Sequence, residues 1–469
     1  MDLSRAVHQK IFQIISHSAQ EIQQDCYVIG GYVRDFLLGE KTSKDIDIVT
    51  VGEGIRLAKQ VAQNIQPHPR VNIFKRFGTA MLQYKDQEIE FVGARKESYR
   101  PDSRKPIVED GTLEDDQNRR DFTINTLAIN LNRNDYGQLI DPFGGSSDLK
   151  KKIIRTPMDP DITYSDDPLR MLRAIRFATQ LKFTIDVASF RSIQHNKDRI
   201  HIVSMERIMD EFHKILLAEH PSIGLRLLYE TGLLSIILPE LTALQGIEEK
   251  EGHTHKDNFF HTLEVVDNIS RKTDALWLRW AALLHDIGKT LTKKYSQKIG
   301  WTFHSHEFVG TKMIPQIFQR LKLPMGPSMK YVQKIVQHSS RPIALVSDEA
   351  TDSAIRRLLF DAGNNLEDLM MLCEADITTK NTEKQNQYKN NFTLVTVKLK
   401  QLEEKDHIRN WQPPISGEDI MNTFNLAPCK QVGIIKNALK EAILEGEIPN
   451  EYHSAYTFML EKGKELGLQ

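Results

Sequence analysis

The sequence predicts an α+β fold: a small mixed β-sheet with flanking helices at the N-terminal end, then helices almost without interruption. Three observations carry this. Residues 26–49 read as strand, glycine turn, helix and strand, because Cys26-Tyr27-Val28-Ile29 is β-prone, Gly30 and Gly31 follow at once, and Asp45-Ile46-Asp47-Ile48-Val49 alternates. Residues 78–84 and 88–94 flank Lys85-Asp86-Gln87 as two strands around a turn. Beyond Pro168 the apolar residues recur at helical spacing.

Taken in order, residues 3–24 place Val7, Ile11, Ile14, Ile15 and Ile22 at helical spacing and predict a capping helix. Gly30 and Gly31 permit backbone angles and a close ligand approach that other residues resist. Val33, Phe36 and Leu37 then continue as a helix that Gly39 closes, so free amides face the turn, an arrangement suited to phosphate. On the following strand Asp45 and Asp47 share one face, and Ile46 and Ile48 share the other. Neighbouring carboxylates repel unless a cation sits between them, and Mg²⁺ with substrate phosphates is the usual solution. Two such ions clamp the attacking and leaving oxygens of a phosphoryl transfer. A lone Asp-x-Asp also fits a solvated strand edge; Gly-Gly-x-Val-Arg-Asp just before it favours the metal. Residues 53–65 predict another helix, and residues 101–116, rich in Pro, Asp, Glu and Gly, predict a loop.

Composition sets outer limits. A chain of 469 residues predicts two to four domains. With Lys+Arg 62 against Asp+Glu 63, net charge gives no nucleic-acid signal, so an RNA surface has to be a local patch. Cys26, Cys373 and Cys429 are scattered and odd in number, which points to a reducing compartment. Neither a secretory signal nor a membrane-length apolar run is visible, so the expected setting is cytoplasmic, with no membrane partner.

Gly30-Gly31-Tyr32-Val33-Arg34-Asp35 followed by Asp45-Ile46-Asp47 resembles the head motif of the class II tRNA nucleotidyltransferase and bacterial poly(A) polymerase family. The resemblance continues through Arg95-Lys96-Glu97-Ser98-Tyr99 and through Arg119-Arg120-Asp121-Phe122-Thr123-Ile124-Asn125-Thr126, with Thr126 where Ala is more usual. It continues through Asp141-Pro142-Phe143-Gly144-Gly145, and through Asp166-Asp167-Pro168-Leu169-Arg170, where Asp166 replaces the family's Glu. It implies a nucleotidyltransferase head with Asp45, Asp47 and Glu90 as catalytic acids, Asp45 and Asp47 also holding Mg²⁺. Glu90 fits a half-exposed strand position equally well.

The resemblance further implies nucleotide contacts from Gly30, Gly31, Arg34, Arg119, Arg120, Asp121, Asn125, Asp167, Arg170, Arg173 and Arg176. Two of these follow from chemistry as well. Guanidinium forks at Arg119 and Arg120 fit phosphate oxygens. Asp167 and Arg170, three apart and so on one helix face, offer one acceptor and several donors, the complement of cytosine and adenine. The same spacing also describes a surface ion pair. Lys150, Lys151, Lys152 and Arg155 form a basic cluster suited to RNA backbone or to a solvated turn, and Arg207 reads as a structural tie.

Seven of the 16 histidines lie between His253 and His338. The order His261, His285-Asp286, Asp376 resembles the HD superfamily of metal-dependent phosphohydrolases and implies those four as ligands of a divalent ion. His304, His306 and His338 stand near in sequence. After residue 381 the chain reads as amphipathic helices broken at Trp411-Gln412-Pro413-Pro414.

The resulting expectation is a head over residues 1–150, a helical neck over 151–250, an HD domain over 251–380 and a helical tail over 381–469. The expected activity is template-independent addition of CMP and AMP, from CTP and ATP, to the 3′ end of tRNA. The alternatives are a poly(A) polymerase or an enzyme adding only CC or only A, an HD phosphohydrolase with a non-catalytic RNA-binding head, and an RNA-binding scaffold.

Overall fold

A computed structural model of the chain describes all residues except 41–43, 101–102, 251–252, 255–256, 343–344, 346–350, 379–380, 407–410 and 469. The chain forms two compact units, Met1–Ile237 and Leu238–Gln469. No helix among the described residues is long and apolar enough to cross a membrane.

The first unit opens with α1 (Lys10–Glu21), β1 (Asp25–Ile29), α2 (Gly31–Leu38), β2 (Asp45–Val51) and α3 (Gly54–Gln63). Strands β3 (Val71–Phe74), β4 (Thr79–Tyr84) and β5 (Gln87–Gly93) follow. Next come β6 (Arg95–Arg100), β7 (Ser103–Asp110), α4 (Leu113–Asn118), β8 (Ala128–Asn130) and β9 (Leu139–Ile140). Seven of these strands form one sheet in the order β3-β4-β5-β2-β1-β8-β9. Only β2 and β5 pair in parallel, so the sheet is mixed as expected.

Register fixes what each face carries. Val28 pairs with Ile48, Ile48 with Phe91 and Phe91 with Ala80, and all four are fully buried. Residues opposite one another on paired strands project to the same face. That row is therefore the core side, and the alternate row, with Asp45 and Asp47, looks the other way. Gly39 closes α2 in the left-handed conformation.

Three expectations are corrected. The first helix begins at Lys10 rather than residue 3, because Leu3 donates its amide to the Gly137 carbonyl and Asp2 bridges to Gln138. Residues 103–118 are not a loop: β7 pairs antiparallel with β6, and Thr112 and Asp115 form a reciprocal cap that starts α4. Pro101 and Asp102, at the start of that expected loop, lie outside the described residues. Asp167 is not on a helix face. It is extended between α6 (Pro160–Asp166) and α7 (Leu169–Leu181), and its carboxylate accepts the Leu169 amide at 3.2 Å.

Among its described residues the second unit's regular structure is helical apart from short two-stranded ladders at Glu249–Lys250 with His253–Thr254 and Lys294–Ser296 with Gly300–Thr302. Its last part packs the helices Gly417–Thr423, Lys430–Glu445 and Tyr452–Glu465 around Ile420, Phe424, Ile435, Leu439 and Met459.

Phe91 sits at the centre of the core row beside Glu90. Phe91→Ala should cost about 3–5 kcal/mol. Hydrogen exchange in the β2 and β5 amides should quicken accordingly; a change under about 1 kcal/mol would show that this row does not hold the sheet.

Candidate functional site: an acidic sheet face beside a glycine turn

Gly30 is the N-cap of α2, at φ +84° and ψ −133°, a conformation that only glycine adopts freely. A Cβ there would lie 3.2 Å from Arg120 Nη1 and 3.5 Å from Asp47 Oδ2. The turn, an acid of β2 and a guanidinium from the segment after α4 therefore converge on one spot. Parallel pairing of β2 and β5 sets Asp47 opposite Glu90 and Asp45 opposite Glu88, so Asp45, Asp47 and Glu90 share this face.

The charge state of this face fits a cation. Burial, with Asp45 and Asp116 adding and Arg120 opposing, pushes the Asp47 carboxyl above its ordinary value. Loss of hydration, then Asp47, does the same for Glu90, partly offset by a hydrogen bond from Thr79. Hard oxygen donors crowded until they resist ionising are a donor set that a divalent ion relieves.

Around this core the arginines already have partners. Fully buried Asp116 accepts from Arg119 Nε at 2.9 Å and Arg120 Nε at 3.0 Å, and Arg119 also reaches Glu97 at 3.3 Å. Arg34 donates to Asn125 Oδ1 at 2.9 Å, and Asn125 Nδ2 donates to Asp121 at 3.0 Å. Asp121 in turn takes Arg173 at 2.6 and 2.7 Å. Arg176 pairs with buried Glu211 at 2.8 Å. Arg34, Arg173 and Arg176 surround the Phe177 ring at 5.1, 5.5 and 4.2 Å. Arg170 donates to the Arg119 carbonyl at 2.6 Å. One connected network thus ties α2, the 119–125 segment and α7. Asp116 escaped the sequence reading. Asp116 had a signal, since it stands on α4 three and four residues before the two arginines that follow the helix. Arg207 is exposed, and the tie expected of it is made by Glu211. Of the basic cluster, Arg155 pairs with Asp148 and Asp186, while Lys150, Lys151 and Lys152 are exposed.

In the second unit His261, His285 and Asp286 place ligand atoms within 4.8 Å of one another. Asp376 Oδ1 lies 2.7 Å from His261 Nε2 and 3.5 Å from His285 Nε2. His285 and Asp286 lie just past the end of the helix Leu276–Leu284. The Nδ1 of His285 meets the Ala282 carbonyl at 2.8 Å, which turns Nε2 towards the acids. That Nε2 and Asp376 Oδ1 are buried 3.5 Å apart, as expected of atoms aimed at a common ligand. Burial works to lower the His285 pKa, yet Asp286 and Asp376 carry it up to about 10. His306 Nε2, 3.3 Å from Asp286 Oδ1, joins the group, while His304 is exposed. A Cβ on Gly288 would sit 2.1 Å from the His306 carbonyl, so glycine there lets that histidine approach.

Comparison with known proteins decides the family. A Poly A polymerase head domain matches residues 26–155, a probable RNA and SrmB-binding site of polymerase A matches 182–245, and an HD domain matches 258–379. An A-adding tRNA nucleotidyltransferase of Deinococcus radiodurans is 34% identical over 346 residues, spanning 72% of this chain and 76% of that protein. A multifunctional CCA protein of Vibrio parahaemolyticus is 32% identical over 369 residues, 75% and 84% of the two chains. The chain belongs to the tRNA nucleotidyltransferase and poly(A) polymerase family. It is thus a nucleotidyltransferase, and the family implies a divalent metal. Among solved structures, a CCA-adding enzyme with ATP shares the fold at TM-score 0.63 and 24% identity, covering 98% of each chain. A tRNA nucleotidyltransferase complexed with a primer tRNA and an ATP analogue aligns at TM-score 0.58 and 25% identity, covering 82% of this chain and 99% of that one.

The Asp121–Arg173 contact joins the nucleotidyltransferase head to its first long neck helix and gives a pH signature. Burial alone would raise the Asp121 carboxyl, but Arg173 outweighs it and holds the pKa at about 2, below the ordinary 3.8. A depressed carboxylate stabilises the fold fully above about pH 4 and loses that contribution as pH falls towards 2. Asp121→Asn should cost about 2 kcal/mol at pH 7 in urea unfolding of the first unit. The gap to wild type should narrow between pH 4 and pH 2; a constant gap would show that the pair carries no charge-dependent stability.

Proposed function

We propose that this protein adds nucleotides without a template to the 3′ end of tRNA, CMP from CTP and then AMP from ATP, to build or repair the CCA terminus. The observation that carries this is the convergence of Asp45, Asp47 and Glu90 with the Gly30 turn and Arg120. The two relatives named above, a CCA protein and an A-adding nucleotidyltransferase, support the substrate.

Asp45 and Asp47 would hold Mg²⁺, with Glu90 as the third acid of the face. Bound there, the ion supplies Lewis acidity towards the RNA 3′ hydroxyl and neutralises the triphosphate. The amides at the start of α2 and the Arg120 fork receive phosphate oxygens. Arg34 and Asp121 hold the Asn125 amide in place, orienting it towards a ribose hydroxyl. Asp167 accepts the exocyclic amine shared by cytosine and adenine, and Arg170, steadied on the Arg119 carbonyl, donates to the adjacent ring nitrogen. Guanine and uracil present the reverse pattern and leave these groups unpaired, which costs binding. Arg173 and Arg176 keep this helix docked. In the second unit His261, His285, Asp286 and Asp376 would hold a divalent ion competent for phosphate-ester hydrolysis. The free thiols of Cys26, Cys373 and Cys429 agree with a reducing, cytoplasmic setting.

A second reading, addition of the terminal A alone, is favoured by the name of the Deinococcus radiodurans relative. Radiolabelled CTP and ATP offered to tRNAs ending at the discriminator base, at C and at CC separate the two. Full CCA addition extends all three to the same terminus; an A-adding enzyme extends only the last. Asp47→Asn should lower incorporation by more than about a hundredfold, while Asp286→Asn should spare it and remove any metal-dependent phosphate release. Incorporation that survives Asp47→Asn would show that this acidic face is not the transferase site.

A further inference from the structure

The outer edge of the sheet carries an exposed aromatic and basic strip that the reaction chemistry leaves unused. Strand β3 is an edge strand, and every residue from Asn72 to Gly78 is exposed. Phe74 keeps 43% of its surface open and Phe77, in the turn after β3, 65%. Arg70, Lys75 and Arg76 are interleaved with them, with no acid between Arg70 and Tyr84.

Register ties this strip to the acidic face. Asn72 pairs with Met81, Met81 with Glu90 and Glu90 with Asp47. Phe74 pairs with Thr79, Thr79 with Val92 and Val92 with Val49. Opposite residues share a face, so Phe74 lies on the same side as Asp47 and Glu90. The hydrogen bond between Thr79 and Glu90 confirms that the two rows stand side by side. Three strand spacings, about 14 Å, separate β3 from β2, a span that a few unpaired nucleotides cover.

An exposed phenylalanine on an edge strand is a liability in a free protein unless something covers it. A second copy could pair with the open edge, but interleaved lysine and arginine oppose such pairing. The same charges attract phosphate, and an aromatic face stacks on any unpaired base. We propose that Phe74, with Phe77, Lys75 and Arg76, is a stacking and phosphate-contact platform for the unpaired 3′ nucleotides of the RNA primer, leading the end to the acids. This rests on the tRNA reading above. It adds a positioning surface on the primer side, separate from the incoming nucleotide.

The test uses the full-length protein and fluorescence anisotropy with two tRNAs, one carrying its unpaired 3′ nucleotides and one trimmed flush with the acceptor stem. Phe74→Ala should weaken binding of the first by about tenfold or more and leave the second unchanged, and Phe74→Tyr should restore it. In steady state the KM for tRNA should rise while the KM for ATP stays fixed. Lys75→Ser with Arg76→Ser should flatten the salt dependence of binding. Wild-type binding and incorporation matched by Phe74→Ala on both RNAs, or equal weakening on both, overturns the platform alone. Concentration-dependent dimers that Phe74→Ala dissolves also overturn it, in favour of a second copy. Failure of wild type to bind or extend tRNA overturns the tRNA reading as well.

Discussion

The register of β2 within the sheet is the constraint on which the rest depends. Ile48 is buried between Val28 and Phe91 and Ile46 beside Ile89, and the alternate residues Asp45 and Asp47 are acids. A slip of one residue would turn Asp45 and Asp47 into the apolar core and Ile46 and Ile48 out of it. Burying an unpaired carboxylate costs several kcal/mol, so the hydrophobic side of the strand fixes the position of the charges on the other. Parallel pairing with β5 then adds Glu90 to the same row, and antiparallel pairing with β1 delivers the Gly30 turn to its end.

A face of acids would be inert without positive groups placed as firmly. These come from segments distant in sequence. Asp116 grips both adjacent arginines, and only the Arg120 guanidinium is brought against the glycine turn. Asp121 joins Asn125 and Arg173, and so ties the 119–125 segment to the first long neck helix. The network also explains why three arginines crowd one phenylalanine without splaying apart: Asn125 and Asp35 hold the first, Asp121 the second and Glu211 the third.

Much of this was legible in the chain. Alternation of Asp45 to Val49, the glycine pair and the Gly39 cap are local signals, and the structure realises each as its side-chain pattern requires. What escaped was set by partners far away or by local exceptions. The pairing of β6 with β7 has no periodicity of its own, and its Pro and Asp content reads as a turn. The spacing of Asp167 from Arg170 suggests a shared helix, but a residue before proline is pushed out of the helical region, and Asp167 is extended at φ −131°. Contacts such as Asp121 with Arg173, 52 residues apart, leave no trace in spacing. In the second unit the His-Asp order announced the cluster, but His306 needed the close approach at Gly288 to be seen.

The most direct measurement is Mn²⁺ electron–nuclear double resonance on the full-length protein with ATP, in a background carrying His261→Ala and Asp286→Ala so that the second unit binds no metal. Phosphorus hyperfine coupling to Mn²⁺ is expected in that background and should vanish when Asp45→Asn and Asp47→Asn are added. Coupling of equal strength with both acids replaced would contradict the account, since the ion and nucleotide would then meet somewhere other than this face.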